Sequence, residues 1–141
     1  MKFTLTLLMA VFLFSFSKAE TEPKVIFQNN FVKITSSTEQ CHDNQNGIHQ
    51  EYTFLSLQNL SSQKLEVSYK KELWYDGKCI NCIKSSEEYK FKVVLEPNQT
   101  LSGNCTKKEK ALSIFSKFLN MKKAELTKFE LRNIEIKNIT K

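Results

Sequence analysis

Between Leu65 and Tyr75, in the stretch LEVSYKKELWY, the apolar residues Leu65, Val67, Tyr69, Leu73 and Tyr75 share one parity, set against Glu66, Ser68, Lys70 and Glu72 on the other. A period of two is the signature of a strand with one buried face, because successive side chains leave a strand on opposite sides. Tyr89, Phe91, Val93 and Leu95 repeat the pattern until Glu96-Pro97-Asn98 stops it. Val25 to Thr35, with a break near Asn29, and Glu51 to Gln58 read as further strands. Near the C-terminus Phe129 and Leu131 lie on one parity while Ile134 and Ile136 lie on the other. A β-bulge near Arg132 would bring both pairs to one face. The inward set on this reading is Leu65, Val67, Phe91, Val93, Leu95, Phe129 and Leu131.

Six or more short strands in a chain of this size predict an all-β fold, a small immunoglobulin-like two-sheet sandwich. The antibody-type pairing of a buried Trp with an inter-sheet disulfide is not part of the expectation, since Trp74 falls on the parity opposite its strand's apolar face. One segment reads both ways. Over residues 107–122 the apolar Ala111, Leu112, Ile114, Phe115, Phe118 and Leu119 fit a helix, with Thr106 and Glu109 as a capping box. The same aromatics fit a strand forming a hairpin with Leu126 to Ile136, and strand is the preferred reading.

The compartment decides what the four cysteines can do. Residues 1–19, MKFTLTLLMAVFLFSFSKA, carry an early lysine, an apolar run and a small-x-small ending, which is the pattern of a secretory signal peptide cleaved after Ala19. The run is short for a membrane span, so the expected product is residues 20–141, a single exported domain, secreted or periplasmic, without stable membrane insertion. In an oxidising compartment Cys41, Cys79, Cys82 and Cys105 are expected to form two disulfides. If successive strands are antiparallel, the loops Ser36 to Gln50 and Asp76 to Ser86 share one end of the sandwich, and Cys105 returns to it. All four cysteines then meet there, and outward pairing of Cys79 and Cys82 is preferred over a bond between them. Against this stands Asp76-Gly77, a type I′ hairpin signal that would add a strand and reverse the parity of the residues beyond it.

Several function classes find no support. Gly47, Gly77 and Gly103 are the chain's three glycines and are far apart, so neither a Walker A nor a dinucleotide loop can be built. No Gly-x-Ser-x-Gly elbow or His-Glu-x-x-His helix occurs. The charge of +6 falls to +4 when Lys2 and Lys18 leave with the signal peptide, and the remaining lysines are interspersed with glutamates. That is a solvated surface rather than a nucleic-acid stripe, and no nucleic-acid partner is expected.

The expected protein is a binding or accessory module, not an enzyme, that needs no cofactor. Its partner would be an extracellular or periplasmic protein or glycan, and the polar connection Ser37 to His49, STEQCHDNQNGIH, is the favoured place for it. The alternative is a thiol-disulfide exchange or metal-binding protein using the Cys79-x-x-Cys82 pair, with zinc held by some of Cys41, His42, His49, Cys79, Cys82 and Cys105. Exchange chemistry wants the pair at a helix N-terminus, whereas here a polar loop and then a strand come after it. Asn59, Asn98, Asn104 and Asn138 head Asn-x-Ser/Thr sequons.

Overall fold

A computed structural model describes residues 22–83 and 87–140; the expected signal peptide, residues 1–19, lies outside them. The strands are β1 (Lys24–Gln28), β2 (Val32–Asp43), β3 (Ile48–Asn59), β4 (Leu65–Tyr75), β5 (Lys78–Cys79), β6 (Lys90–Leu95), β7 (Thr100–Ser102), β8 (Ser113–Phe118) and β9 (Leu126–Asn138), with one 3₁₀ turn at Glu87–Tyr89. They form two antiparallel sheets packed face to face, a small all-β sandwich.

In the first sheet β1, β2 and β3 lie side by side in chain order, and β7 and β8 pair with successive parts of β3. In the second, β4 pairs with β9 over nearly its whole length, which leaves its other edge to β6 and β5. The immunoglobulin-like comparison extends to the two-sheet architecture and stops at strand order, because three consecutive strands occupy one sheet before the chain crosses.

The core is what the alternation predicts. Val32, Ile34, Leu55 and Leu57 from the first sheet meet Leu65, Val67, Tyr69, Val93 and Leu95 from the second, with Leu112 between them. Phe91, Phe129 and Leu131 pack against this cluster but remain partly exposed, so they line its margin rather than its centre. The bulge in β9 is present. The β4–β9 register slips between Ser68 and Lys70, opposite Glu135 and Arg132, and Asn133 takes a φ of 52° to make room. Ile134 and Ile136 thereby join Phe129 and Leu131 against the core. The break near Asn29 is also present, where the Asn29 side chain accepts the N–H groups of Phe31 and Val32 at 2.9 and 2.8 Å.

Three expectations are corrected. The strand preferred within residues 107–122 is present as β8 and no helix forms, but its partner is β3 along Gln50 to Phe54 and not Leu126 to Ile136, which pair with β4 in the other sheet; Ile114 and Ser116 bury on one parity. The Thr106–Glu109 capping box gives way to Asn104, whose side chain accepts the N–H groups of Thr106 and Lys107. Ser37 to His49 is not a loop. β2 and β3 pair without slippage out to Asp43 and Ile48, and the connection shrinks to residues 44–47, closed by Asn46 bonding to Asp43 and by Gly47 at φ 64°. The outward disulfide pairing does not occur either. Cys41 is joined to Cys105 and Cys79 to Cys82, with Cα separations of 5.4 and 5.8 Å. The first bond belongs to the first sheet and the second to the other, where Asp76 and Gly77, both at positive φ, make the hairpin that turns β4 into β5.

Candidate functional site

Inward positions of β4 run Leu65, Val67, Tyr69, Lys71 and Leu73, and the fourth of them is a lysine that is 2 % exposed. A buried ammonium needs acceptors, and here the backbone supplies them. The Lys71 Nζ donates to the carbonyls of Lys110 and Ser113 at 2.5 and 3.1 Å, and it sits 4.6 Å from the centre of the Phe91 ring. Burial pulls its pKa down to about 7. The two carbonyls and the aromatic face act the other way, since both favour the charged amine.

Lys71 does not act alone. Tyr69 donates its hydroxyl to the carbonyl of Ala111 at 2.7 Å, and Tyr75 donates to that of Phe115 at 2.5 Å. Side chains of one strand thus cap the carbonyls of Lys110, Ala111, Ser113 and Phe115 in β8 and its approach, where another strand would otherwise have to pair. Burial raises the pKa of both phenols, that of Tyr75 to about 12, so they stay donors. The seam ties the sheets together through polar tips. Its amine is enclosed and committed, which argues for a positioning role rather than a nucleophilic one.

The segment that the seam grips, residues 103–112, is an excursion between β7 and β8. Gly103 donates to the Leu55 carbonyl, Leu55 donates to that of Leu112, and the chain between leaves the sheet and returns. In the unbroken β2–β3 ladder, Cys41 opposite Gln50 and Ser37 opposite Phe54 lie on the parity turned away from Leu55 and Leu57. Phe54 is nevertheless 3 % exposed, because the excursion covers it. A side chain on Gly103 would come within 2.8 Å of the Phe54 ring, so glycine is required there by contact. Cys105 fixes the cover to Cys41.

Between the excursion and the second sheet opens a cleft of about 360 Å³, within the range of small-molecule sites. Tyr52, Tyr75, Tyr89, Phe91 and Phe115 wall it, Lys71 lies at its floor, and Lys108, Lys110 and Glu88 bring charge to it. The Lys108 ammonium rests 4.9 Å from the Tyr52 ring centre, and among the described residues no ion pair reaches Lys108 or Lys110. A second hollow of about 430 Å³ lies over Tyr69, Lys90 and Lys92, but those two lysines are paired with Glu87 and Glu66. The first cleft therefore has the freer positive charge.

The sequence-predicted residues divide. All four cysteines are in disulfides, so none is free to ligate a metal. Among the described residues no α-helix follows Cys79 and Cys82; Cys79 ends β5, and the Asn81 side chain between them accepts the Leu73 N–H and donates to the Lys71 carbonyl at 2.9 and 2.8 Å. Asn59 is 1 % exposed, its amide spent on the carbonyls of Gln63 and Glu96, so a glycan there would displace the β3–β4 turn. Asn98, Asn104 and Asn138 are exposed. Disulfides in a β-rich domain point to an oxidising, non-cytoplasmic setting, and no helix among the described residues is long and apolar enough to cross a membrane. No family model, no curated protein and no solved structure matches this chain.

Proposed function

We propose that the protein is an exported binding module, not an enzyme, whose ligand occupies the aromatic cleft beside the 103–112 excursion. The observation that carries this reading is the combination of five aromatic walls with Lys108 and Lys110, cations that no ion pair among the described residues reaches. Aromatic faces accept a flat or ring-shaped group, and free ammonium groups accept negative charge. An anionic ring, such as a uronic acid or sulfated sugar of an extracellular glycan, has both properties. Secretion through the signal peptide would deliver the module to such a partner.

Titration with a sulfated disaccharide, monitored by amide NMR, tests it. Shifts should concentrate on Phe91, Lys108, Lys110 and Phe115, weaken as salt is raised, and vanish in Lys108→Glu with Lys110→Glu. Shifts confined to other surfaces, or unchanged binding by that variant, would overturn the assignment.

A further inference from the structure

We infer that the ligand is a chain of several anionic sugars, and that it continues from the aromatic cleft into the second hollow, where Lys70, Lys90 and Lys92 form a further anion-binding subsite. This rests on the reading of the first cleft as a site for an anionic sugar. The two hollows, of about 360 and 430 Å³, adjoin at the start of β6: Glu88 and Tyr89 line the first, Glu87 and Lys90 line the second, and Phe91 borders both. Residues adjacent in the chain thus serve two sites on either side of one rim. Each volume is at the low end of the range for a single small ligand, so a ligand that fills both is an elongated one.

The second subsite is built from an arrangement that costs the fold stability. Lys70 and Lys90 stand directly opposite each other in the β4–β6 ladder, and Lys92 follows on the same face opposite Ser68. Like charges directly opposite across a ladder repel. Each ammonium is drawn instead to a carboxylate, Lys70 to Glu72 at 3.3 Å, Lys90 to Glu87 at 2.6 Å and Lys92 to Glu66 at 3.6 Å. The Glu87 side chain is 82 % exposed and that of Lys92 69 %, and ion pairs so exposed hold weakly. An anion that meets the three ammonium groups together competes with those single partners. Ser68 and Asn133, the latter at φ 52° in the β9 bulge, line the same hollow and add uncharged polar groups suited to sugar hydroxyls. Over the two hollows six lysines stand against Glu87, Glu88 and Glu135, an excess of positive charge that matches a polyanion.

The test compares a sulfated disaccharide with a hexasaccharide of the same repeat, by calorimetry and amide NMR on the full chain. The hexasaccharide should bind at least about tenfold more tightly and add shifts at Ser68, Lys92 and Asn133 to those in the cleft. Lys90→Glu with Lys92→Glu should abolish the added shifts and the gain. Lys122→Glu with Lys123→Glu, an equal change of charge at exposed lysines that line neither hollow, should keep both. Far-UV circular dichroism checks that the variants fold. A disaccharide that does not bind in the cleft overturns the cleft assignment and the second subsite together. A disaccharide that binds there while the hexasaccharide gains nothing, or a gain lost equally in both double variants, overturns the second subsite alone.

Discussion

The two disulfides do different work. Cys41–Cys105 spans 64 residues and pins an excursion that has left its sheet, whereas Cys79–Cys82 spans three and closes a turn that the chain has already made. Two of the excursion's backbone hydrogen bonds run within itself, Asn104 to Lys107 and Leu112 to Glu109, and those at its ends go to Leu55 of β3, so the disulfide is its covalent hold on β2. The turn carrying the short bond has Asp76 and Gly77 in left-handed backbone and the Asn81 amide stitched to β4. A long-range staple substitutes for local structure; a short one duplicates it. Loop-closure entropy gives the same order, about 4 kcal/mol for the long bond and about 2 kcal/mol for the short one.

The largest expected effect comes from removing the long staple. Cys41→Ser with Cys105→Ser should lower unfolding free energy by about 4 kcal/mol in urea titration and expose Phe54. A loss below about 1 kcal/mol would show that the excursion holds itself.

Lys71 stands between the two regions, its ammonium on the excursion and its carbonyl on Asn81. Its pKa is about 7 in the fold against 10.5 for an ordinary lysine, so between those values the unfolded chain keeps a proton that the folded chain has shed. Stability from this group therefore rises with pH from about 7 towards 10.5, by an amount on the order of 3 kcal/mol. Above about 10 the sign reverses, because Tyr69 and Tyr75 hold their protons in the fold and lose them on unfolding. Urea midpoints at pH 6.5, 8 and 9.5 should climb in the native protein and stay level in Lys71→Met. A native profile that falls over this range would mean that the carbonyls keep the amine charged.

Lys71 also marks where the sequence stopped being readable. Alternation located β4, the β9 bulge and the core, since each depends on neighbours one or two positions away. It passed over Lys71, although Leu65, Val67, Tyr69 and Leu73 put that lysine on the inward parity; what makes the position tolerable is a pair of carbonyls some 40 residues on. The same limit hid the partner of β8, which lies along the free edge of β3 and not along β9, and the pairing of Cys41 with Cys105 across the sheet. Ser37 to His49 looked like a loop because this end of the hairpin runs past the core and carries polar residues on both faces. Of the candidate cleft, the aromatics were visible as strand residues and their convergence was not.

Asn81 sharpens the comparison on the short side. Asn81→Ala leaves the Leu73 N–H and the Lys71 carbonyl unpaired where Asn81 itself was 1 % exposed, and should cost about 2 to 3 kcal/mol. Hydrogen exchange at Leu73 should quicken first, as its amide is the donor released.

The smallest effect should come from Cys79→Ser with Cys82→Ser, at or below about 2 kcal/mol, because the Asp76-Gly77 hairpin and the Asn81 amide remain. A double-mutant cycle makes the duplication measurable. If the disulfide and Asn81 each hold the turn by themselves, losing either one leaves the other in place, and the combined variant loses more than the sum of its parts. Additive losses would instead mean that the two act on separate parts of the turn. The corresponding cycle on the long side, Lys71→Met combined with loss of Cys41–Cys105, should go the same way. There the two ties hold opposite ends of the excursion, so that each alone still confines it and removing both costs more than the sum.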